Sequence, residues 1–545
     1  MGKCRNLEEA KHRKKLLINL KFIPADSTTI HPDNDPSTVD IYGTSILGTP
    51  VGTDQYVKSC LSEKYNIFAT QSRNLIAYPD AQQKHLILLH SFIKKIIHLL
   101  RTICPMLISQ FASKFDSLVK EIFLSIVDKD DIPELAWRQC CLPINSSGLG
   151  YVPNTNIISS AFTASVFSCL STLNKLKPNF LNSDNKLTIS FEYARINLNS
   201  QISPPNQVTL AFLESTQQSG KKLQETLSAL VSSKELKDFK VYAKNYFYNN
   251  ENDENFGNKY LTFINSLCGE AIESPYGEKE FVNDIGSKWL LSCPRTWKTT
   301  LSSPSFKECI IFRLMLPTTR FSQGTKCTCN SLVDPQGHHI STICNFNSSV
   351  TNNHDACAHA LSSMASFTGF RVVNEQVKCF SETEPNSRKR PDVSILNWPK
   401  NTPGRSALII DVAIVNPVTP NETVSLTQSN TFFRHGNKRY NAKMTRYSNL
   451  AHQNGLDFSP FVIETTGTFH PKSRSLFNSI IDFMAPNDPV AQSKFRHYWL
   501  TYFSFALYRS ISTNLLKNTA TLNSLCHSSS LTFDSRDTML ADPGS

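Results

Sequence analysis

The sequence predicts an α+β multidomain protein with a helical N-terminal half and a C-terminal α/β unit in the order α-β-β-β-α-β. Three observations predict it. The chain has 545 residues, several times the ~100–200 of a typical domain, so more than one folded unit is expected. Apolar residues recur at helical spacing through the first 180 residues, and after Phe370 they gather instead into short β-rich runs. With 40% hydrophobic, 19% charged and 10% aromatic residues, the composition is that of a folded globular chain and not of a disordered one.

From Ala81 to Arg101, Leu86, Leu89, Ile93, Ile96, Ile97 and Leu100 recur at steps of three and four among basic residues, which predicts an amphipathic helix. A second helix is expected over 107–128 and a shorter one after Ile157. The polar stretches 182–206 and 245–260 read as linkers or exposed loops. Residues 355–370 read as a helix capped near Gly369, followed by strands at 370–380, 391–396 and 407–415, a helix at about 430–453 and a fourth strand at 458–465. The expected division is a helical region 1–180, a linker and helical connection 181–320, a cysteine–histidine segment 321–354, an α/β domain 355–510 and a tail 511–545.

The formal net charge is +11, which favours an anionic partner without choosing its kind. It is unevenly placed: residues 1–22 carry +5 and residues 371–447 carry +6. Fifteen cysteines are too sparse for a small disulfide scaffold and odd in number, so reduced thiols are expected. The N-terminal stretch shows no secretion signal, and the greasiest segment, 85–110, is broken by Lys94, Lys95 and Arg101. A soluble intracellular protein without a membrane partner is the expectation.

Two clusters carry chemistry. Cys327, Cys329, His339 and Cys344 form C-x-C-x9-H-x4-C, a donor set suited to tetrahedral, structural Zn²⁺; His338 or His354 could replace His339 as the fourth ligand. On the strands, Glu375 falls in the first, Asp392 opens the second behind Arg390-Pro391, and Asp411 interrupts the apolar third. A buried carboxylate calls for a metal or cation nearby, and Mg²⁺-dependent phosphodiester chemistry needs such acids together with a cationic group. Lys443 and Tyr447 lie four apart and share one face of the following helix.

In these residues the chain resembles the C-terminal part of eukaryotic non-LTR retrotransposon polyproteins, which end in a zinc-knuckle-like cluster and a restriction-like endonuclease of the PD-(D/E)xK fold. The resembling pieces are FRLMLP (312–317), the cysteine–histidine cluster, Arg390-Pro391-Asp392, IIDV around Asp411, Lys443 with Tyr447, and FSPFVIETTG (458–467). Upstream, ILGTPVG (46–52) and LAWRQCCLPINSSGLGYV (135–152) are similar to segments that follow the polymerase palm.

The resemblance implies a nuclear DNA-nicking endonuclease. Asp392 and Asp411 would bind Mg²⁺ or Mn²⁺, with Glu375, Lys443 and Tyr447 beside them. Arg388, Lys389, Arg390, Arg434, Lys438 and Arg439 would grip the DNA backbone, and element RNA is a second candidate partner. Two departures stand out: the gap from Asp392 to Asp411 is long, and Ala413 occupies the D-x-K lysine position. Lys443, or Lys438, would have to supply that charge. No Tyr-x-Asp-Asp hairpin occurs; Asp130-Asp131 read as a helix-terminal turn, and residues 1–180 read as a thumb-like remnant beginning after the palm. The alternative is a catalytically dead element remnant that only binds nucleic acid.

Overall fold

A computed structural model describes residues 43–533 apart from 183–184, 205, 249–253, 274–278, 283, 323, 377–378, 381–389, 400–402, 420–421, 426–427 and 429–430. The architecture is α+β: a mostly helical N-terminal part and a C-terminal mixed four-stranded sheet packed with helices.

The helical part opens with a hairpin, β1 (Gly43–Ile46) and β2 (Thr49–Gly52). Leu47 and Gly48 both take positive φ, as a two-residue hairpin turn requires. Helices of three turns or more are α1 (Asp54–Ile76), α2 (Pro105–Val127), α3 (Asn154–Ser168), α4 (Lys186–Ser200), α5 (Leu223–Tyr248), α6 (Glu254–Cys268) and α7 (Ser303–Arg313). Between α1 and α2 the expected amphipathic helix is not uniform: α-helix Ala81–Ile87 widens into a π-turn at Leu88–Phe92, tightens to 3-10 at Ile93–Ile96 and resumes as Ile97–Thr102. Leu88, Leu89, Phe92, Ile93 and Ile96 are all buried, and local changes of pitch bring this dense series inward where one regular stripe could not.

Three expectations fail here. Residues 182–206 are not a linker, because α4 lies within them: Asn185 caps it by accepting from the Leu187 and Thr188 amides, and Phe191, Ala194 and Leu198 are buried on one stripe. Ser190 is buried with them, while Ile189, Tyr193 and Ile196 are exposed on the other side, which blurs the helical pattern. Most of 245–260 belongs to the end of α5 and the start of α6. The tail expected from 511 is instead the continuation of a single long helix, described below. Asp130-Asp131 do follow a helix terminus, with Asp128 in the left-handed region at the end of α2 and Asp131 3.2 Å from Lys120.

A second hairpin, β3 (Glu270–Glu273) with β4 (Lys279–Val282), precedes the sheet unit. That unit runs α8 (Ser349–Phe367), β5 (Val372–Asn374), β6 (Val393–Ile395), β7 (Leu408–Val415), α9 (Arg434–Gln453) and β8 (Asp457–Glu464), then α10 (Pro471–Met484) and α11 (Pro489–Phe533). The order in space is β5-β6-β7-β8. The first two pairings are antiparallel and the last is parallel, so α9 is the crossover a parallel connection needs.

β7 is apolar on both faces. Leu408, Ile410 and Val412 join the main core with Leu361 and Met364 of α8, while Ile409 packs with Leu450 and Ala451 of α9. Asp411 therefore shares the α9 face with Ile409 and Ala413 by strand alternation. The main core is continuous across the molecule, from Val57 in α1 to Ile511 in α11.

Candidate functional site

The site forms where β6 meets β7. The paired register of these strands ends at Val393 opposite Ile410, and just beyond it the Asp392 and Asp411 carboxyls interact directly. The Asp392 amide donates to the Ile410 carbonyl at 3.1 Å. Pro391 has no N–H to continue the ladder, and the Asp392 carboxylate instead accepts from the Val412 amide at 2.6 Å. Local chain chemistry thus pins this acid against the centre of β7.

Each acid has a cationic partner. Lys443 Nζ, reaching down from α9, lies 2.5 Å from Asp411 Oδ2. His354 Nε2, from α8, lies 2.9 Å from Asp392 Oδ2, and its Nδ1 is 2.9 Å from Asp355. The two carboxyls are driven apart electrostatically. Burial, reinforced by Asp392, raises the pKa of Asp411 against the pull of Lys443. Burial would raise Asp392 as well, but His354 and the Val412 amide hold it below the ordinary carboxylate value. His354, pulled down by burial, is carried up to about 9 by Asp392 and Asp355. Burial lowers Lys443, with Asp411 opposing.

The ammonium beside Asp411 comes from the helix and not from the strand. Ala413, two residues after Asp411, packs against Phe433 and Val462, whereas Lys443 is buried beside Asp411. Lys438, five residues earlier on α9, is exposed. Tyr447 is also close: its hydroxyl is raised by burial and then by Asp411, and its ring stacks on Phe380 and packs near Phe458.

Glu375 departs from expectation. It lies one residue past β5, not within it, with φ of 46°. Its exposed side chain turns to Arg390 at 3.1 Å. Arg434 is not free for a phosphate: it pairs with Glu422 at 2.7 Å, beside His435 at 2.9 Å from the same acid. Lys438 and Arg439 are exposed on α9. Arg388 and Lys389 lie outside the described residues. Nothing in the spacing of His354 along the sequence links it to Asp392; the packing of α8 on the sheet does.

The second centre is the cysteine–histidine cluster. One ligand atom from each of Cys327, Cys329, His339 and Cys344 lies within 4.8 Å of the others. Cys327 Sγ to Cys344 Sγ is 3.6 Å and Cys329 Sγ to His339 Nε2 is 3.1 Å. Tetrahedral zinc with bonds near 2.3 Å places sulfur ligands about 3.8 Å apart, so the cluster could bind a zinc ion. A tight turn with Asn330 at φ 64° carries the first two thiols. A π-turn, His339–Ile343, carries His339 and is followed directly by Cys344, and Asp334 holds its start by accepting from the His338 and His339 amides at 2.9 and 2.6 Å. Hydrogen bonding from Ser331 draws the Cys329 thiol down to about 6, towards the thiolate a metal takes; burial pushes Cys344 up to about 11.

The alternative fourth ligands have other partners. His338 is buried between Phe263 and Phe312 with its Nδ1 3.1 Å from Asn416, and His354 belongs to Asp392.

Among the described residues no single helix is long and apolar enough to cross a membrane; the bent pair Asn154–Ser168 and Leu170–Leu176 meets the criterion by composition, but Phe162 and Phe167 are buried against α4 and α5. No protein-family model matches the chain, and no curated protein matches it.

Proposed function

We propose that this chain is a retroelement-type, nuclear, nucleic-acid-binding protein. Its α-β-β-β-α-β unit acts as a Mg²⁺- or Mn²⁺-dependent DNA-nicking endonuclease of the PD-(D/E)xK kind, and its Cys3His cluster holds a structural zinc. The observation that carries the reading is Asp392 against Asp411 where β6 meets β7, with Lys443 on the second acid.

Two carboxylates on rigid strands suit a divalent cation whose remaining positions are water. The Asp411 Oδ2 atom, moreover, is buried without a well-directed hydrogen bond. When bound there, the cation would supply Lewis acidity at a scissile phosphate. Lys443 stabilises charge developing on the phosphate oxygens. His354 holds the Asp392 carboxylate in place and carries a proton at Nε2. Exposed Lys438 and Arg439 bind the DNA backbone and give a salt-dependent affinity, while Arg390 would have to leave its surface pair with Glu375 to join them.

The test is conversion of supercoiled to nicked plasmid with Mg²⁺ or Mn²⁺. Wild type is expected to nick and Asp411→Ala to lose the activity; equal cleavage by both would sink the assignment. One observation favours the second reading, a remnant that binds without cutting: both acids already hold a cation, His354 on Asp392 and Lys443 on Asp411. That reading expects salt-sensitive DNA binding and no nicks at any metal concentration.

A further inference from the structure

Trp297 is 70% exposed. Of the other tryptophans, Trp289, Trp398 and Trp499 are buried and Trp137 is half-buried. An indole this open contributes little to the core. The turn it sits on is held without it. Arg509 of α11 donates to the carbonyls of Trp297 and Thr300 at 2.6 and 2.9 Å, and Thr296 and Thr299 form a reciprocal capping box. The ring is thus presented on a rigid support, with its ordering cost already met.

Its surroundings are aromatic and cationic. Arg509 and Lys298 lie over the Trp297 ring at 5.7 and 5.9 Å, and Lys298 also lies over Tyr502 at 5.3 Å. Tyr498, 47% exposed, sits one turn before Tyr502 on α11, and exposed Lys494 one turn before that, so the three share a stripe. Residues 285–300 and 489–533 contain seven Lys and Arg and no Asp or Glu. Among the described residues Arg295, Lys298 and Arg509 form no ion pair with a carboxylate.

We propose that Trp297, Lys298, Tyr498, Tyr502 and Arg509 form a stacking platform for single-stranded nucleic acid, separate from the carboxylate site. Bases stack on the rings while Lys298, with exposed Arg295 and Lys494 beside it, holds phosphates and Arg509 fixes the turn beneath the indole, a combination that suits unpaired strands because a duplex hides its base faces. The charge decides against a peptide with a basic or neutral face. The proposal does not rest on the endonuclease reading, since binding is measured without divalent metal.

The experiment uses the full chain with fluorescently labelled 20-nucleotide oligo(dT) and oligo(U), and with a 20-base-pair duplex, at low and moderate salt in EDTA. Single strands are expected to bind more tightly than duplex and to quench tryptophan emission. Trp297→Ala should lose at least about tenfold in affinity, Trp297→Phe should retain most of it, and both should melt as wild type does because the ring is outside the core. Oligo(U) above oligo(dT) would identify RNA as the strand taken, and equal affinity a site indifferent to the sugar. Unchanged affinity in Trp297→Ala, or equal losses in the Ala and Phe variants, overturns the platform. So does a wild type that binds neither oligonucleotide, which would leave a protein as the occupant.

Discussion

Asp411 and Lys443 form a buried ion pair whose two charges depend on one another. Removing one partner of such a pair leaves an uncompensated charge, at a cost of about 3–5 kcal/mol, whereas removing both is often close to neutral. Lys443→Met should therefore lower unfolding free energy by about 3 kcal/mol, and adding Asp411→Asn should recover most of it, as urea titration would show. Asp411 was legible in the sequence because an acid in an apolar strand has few explanations. Glu375, Arg434 and His354 were not: a left-handed residue ends β5 early, Glu422 captures Arg434, and the register of α8 against β6 brings His354 to its acid.

Glu464 at the end of β8 is another residue the sequence did not single out. Burial raises its pKa to about 7, only partly opposed by the Ser266 hydroxyl and the Gly436 amide. Its folded pKa lies above the unfolded value, so the folded state holds a proton the unfolded state has released between about 4.5 and 7, and stability falls as pH rises through that window. Glu464→Gln should be more stable than wild type by a few kcal/mol at pH 8 and nearly equal to it at pH 4.5, by thermal or urea unfolding at the two pH values.

Among the elements, the succession of strands and helices along the chain was readable because hydrophobic period separates strands from helices, and β7 is an apolar run broken only by Asp411. α4 was hidden because its buried stripe is only one side of a polar sequence. The last helix was hidden because its outer face resembles a tail, while Ile511, Leu515 and Leu522 face inward. Leu515 and Leu522 pack with Cys327, Val333, Ile340 and Cys344, and Asn514 and Asn518 donate to the carbonyls of Ser341 and Ile340 at 3.3 and 2.8 Å. Zinc would thus brace the socket in which α11 sits. About one zinc per chain is expected on metal analysis. Chelation, or Cys329→Ser, should remove it and strip amide-exchange protection from 511–522 before the β7–β8 ladder is affected. Full zinc content in Cys329→Ser would remove this site.

At the scale of the whole molecule, one hydrophobic core runs through both the helical part and the sheet unit, and the seam between the two parts is close. The turn after β8 carries Gly467 at φ 95°, where a Cβ would stand 2.2 Å from the Gly286 backbone nitrogen. Across that contact the Ile285 amide donates to the Gly467 carbonyl at 2.9 Å. Asp284 accepts from the Phe469 amide at 2.8 Å and pairs with Arg474 at 2.7 Å. Tyr508 of α11 donates to the Thr466 carbonyl at 3.0 Å, and Arg313 of α7 donates to the Gly286 carbonyl at 3.0 Å. A side chain at 467 meets both a left-handed backbone and a facing main chain that cannot rotate away. Gly467→Ala should accordingly cost about 3 kcal/mol or more. Because the seam joins both halves to the same core, amide-exchange protection should fall together in α2 and in β7. Loss confined to the sheet, with α2 protected as in wild type, would show instead that the helical part folds without the seam.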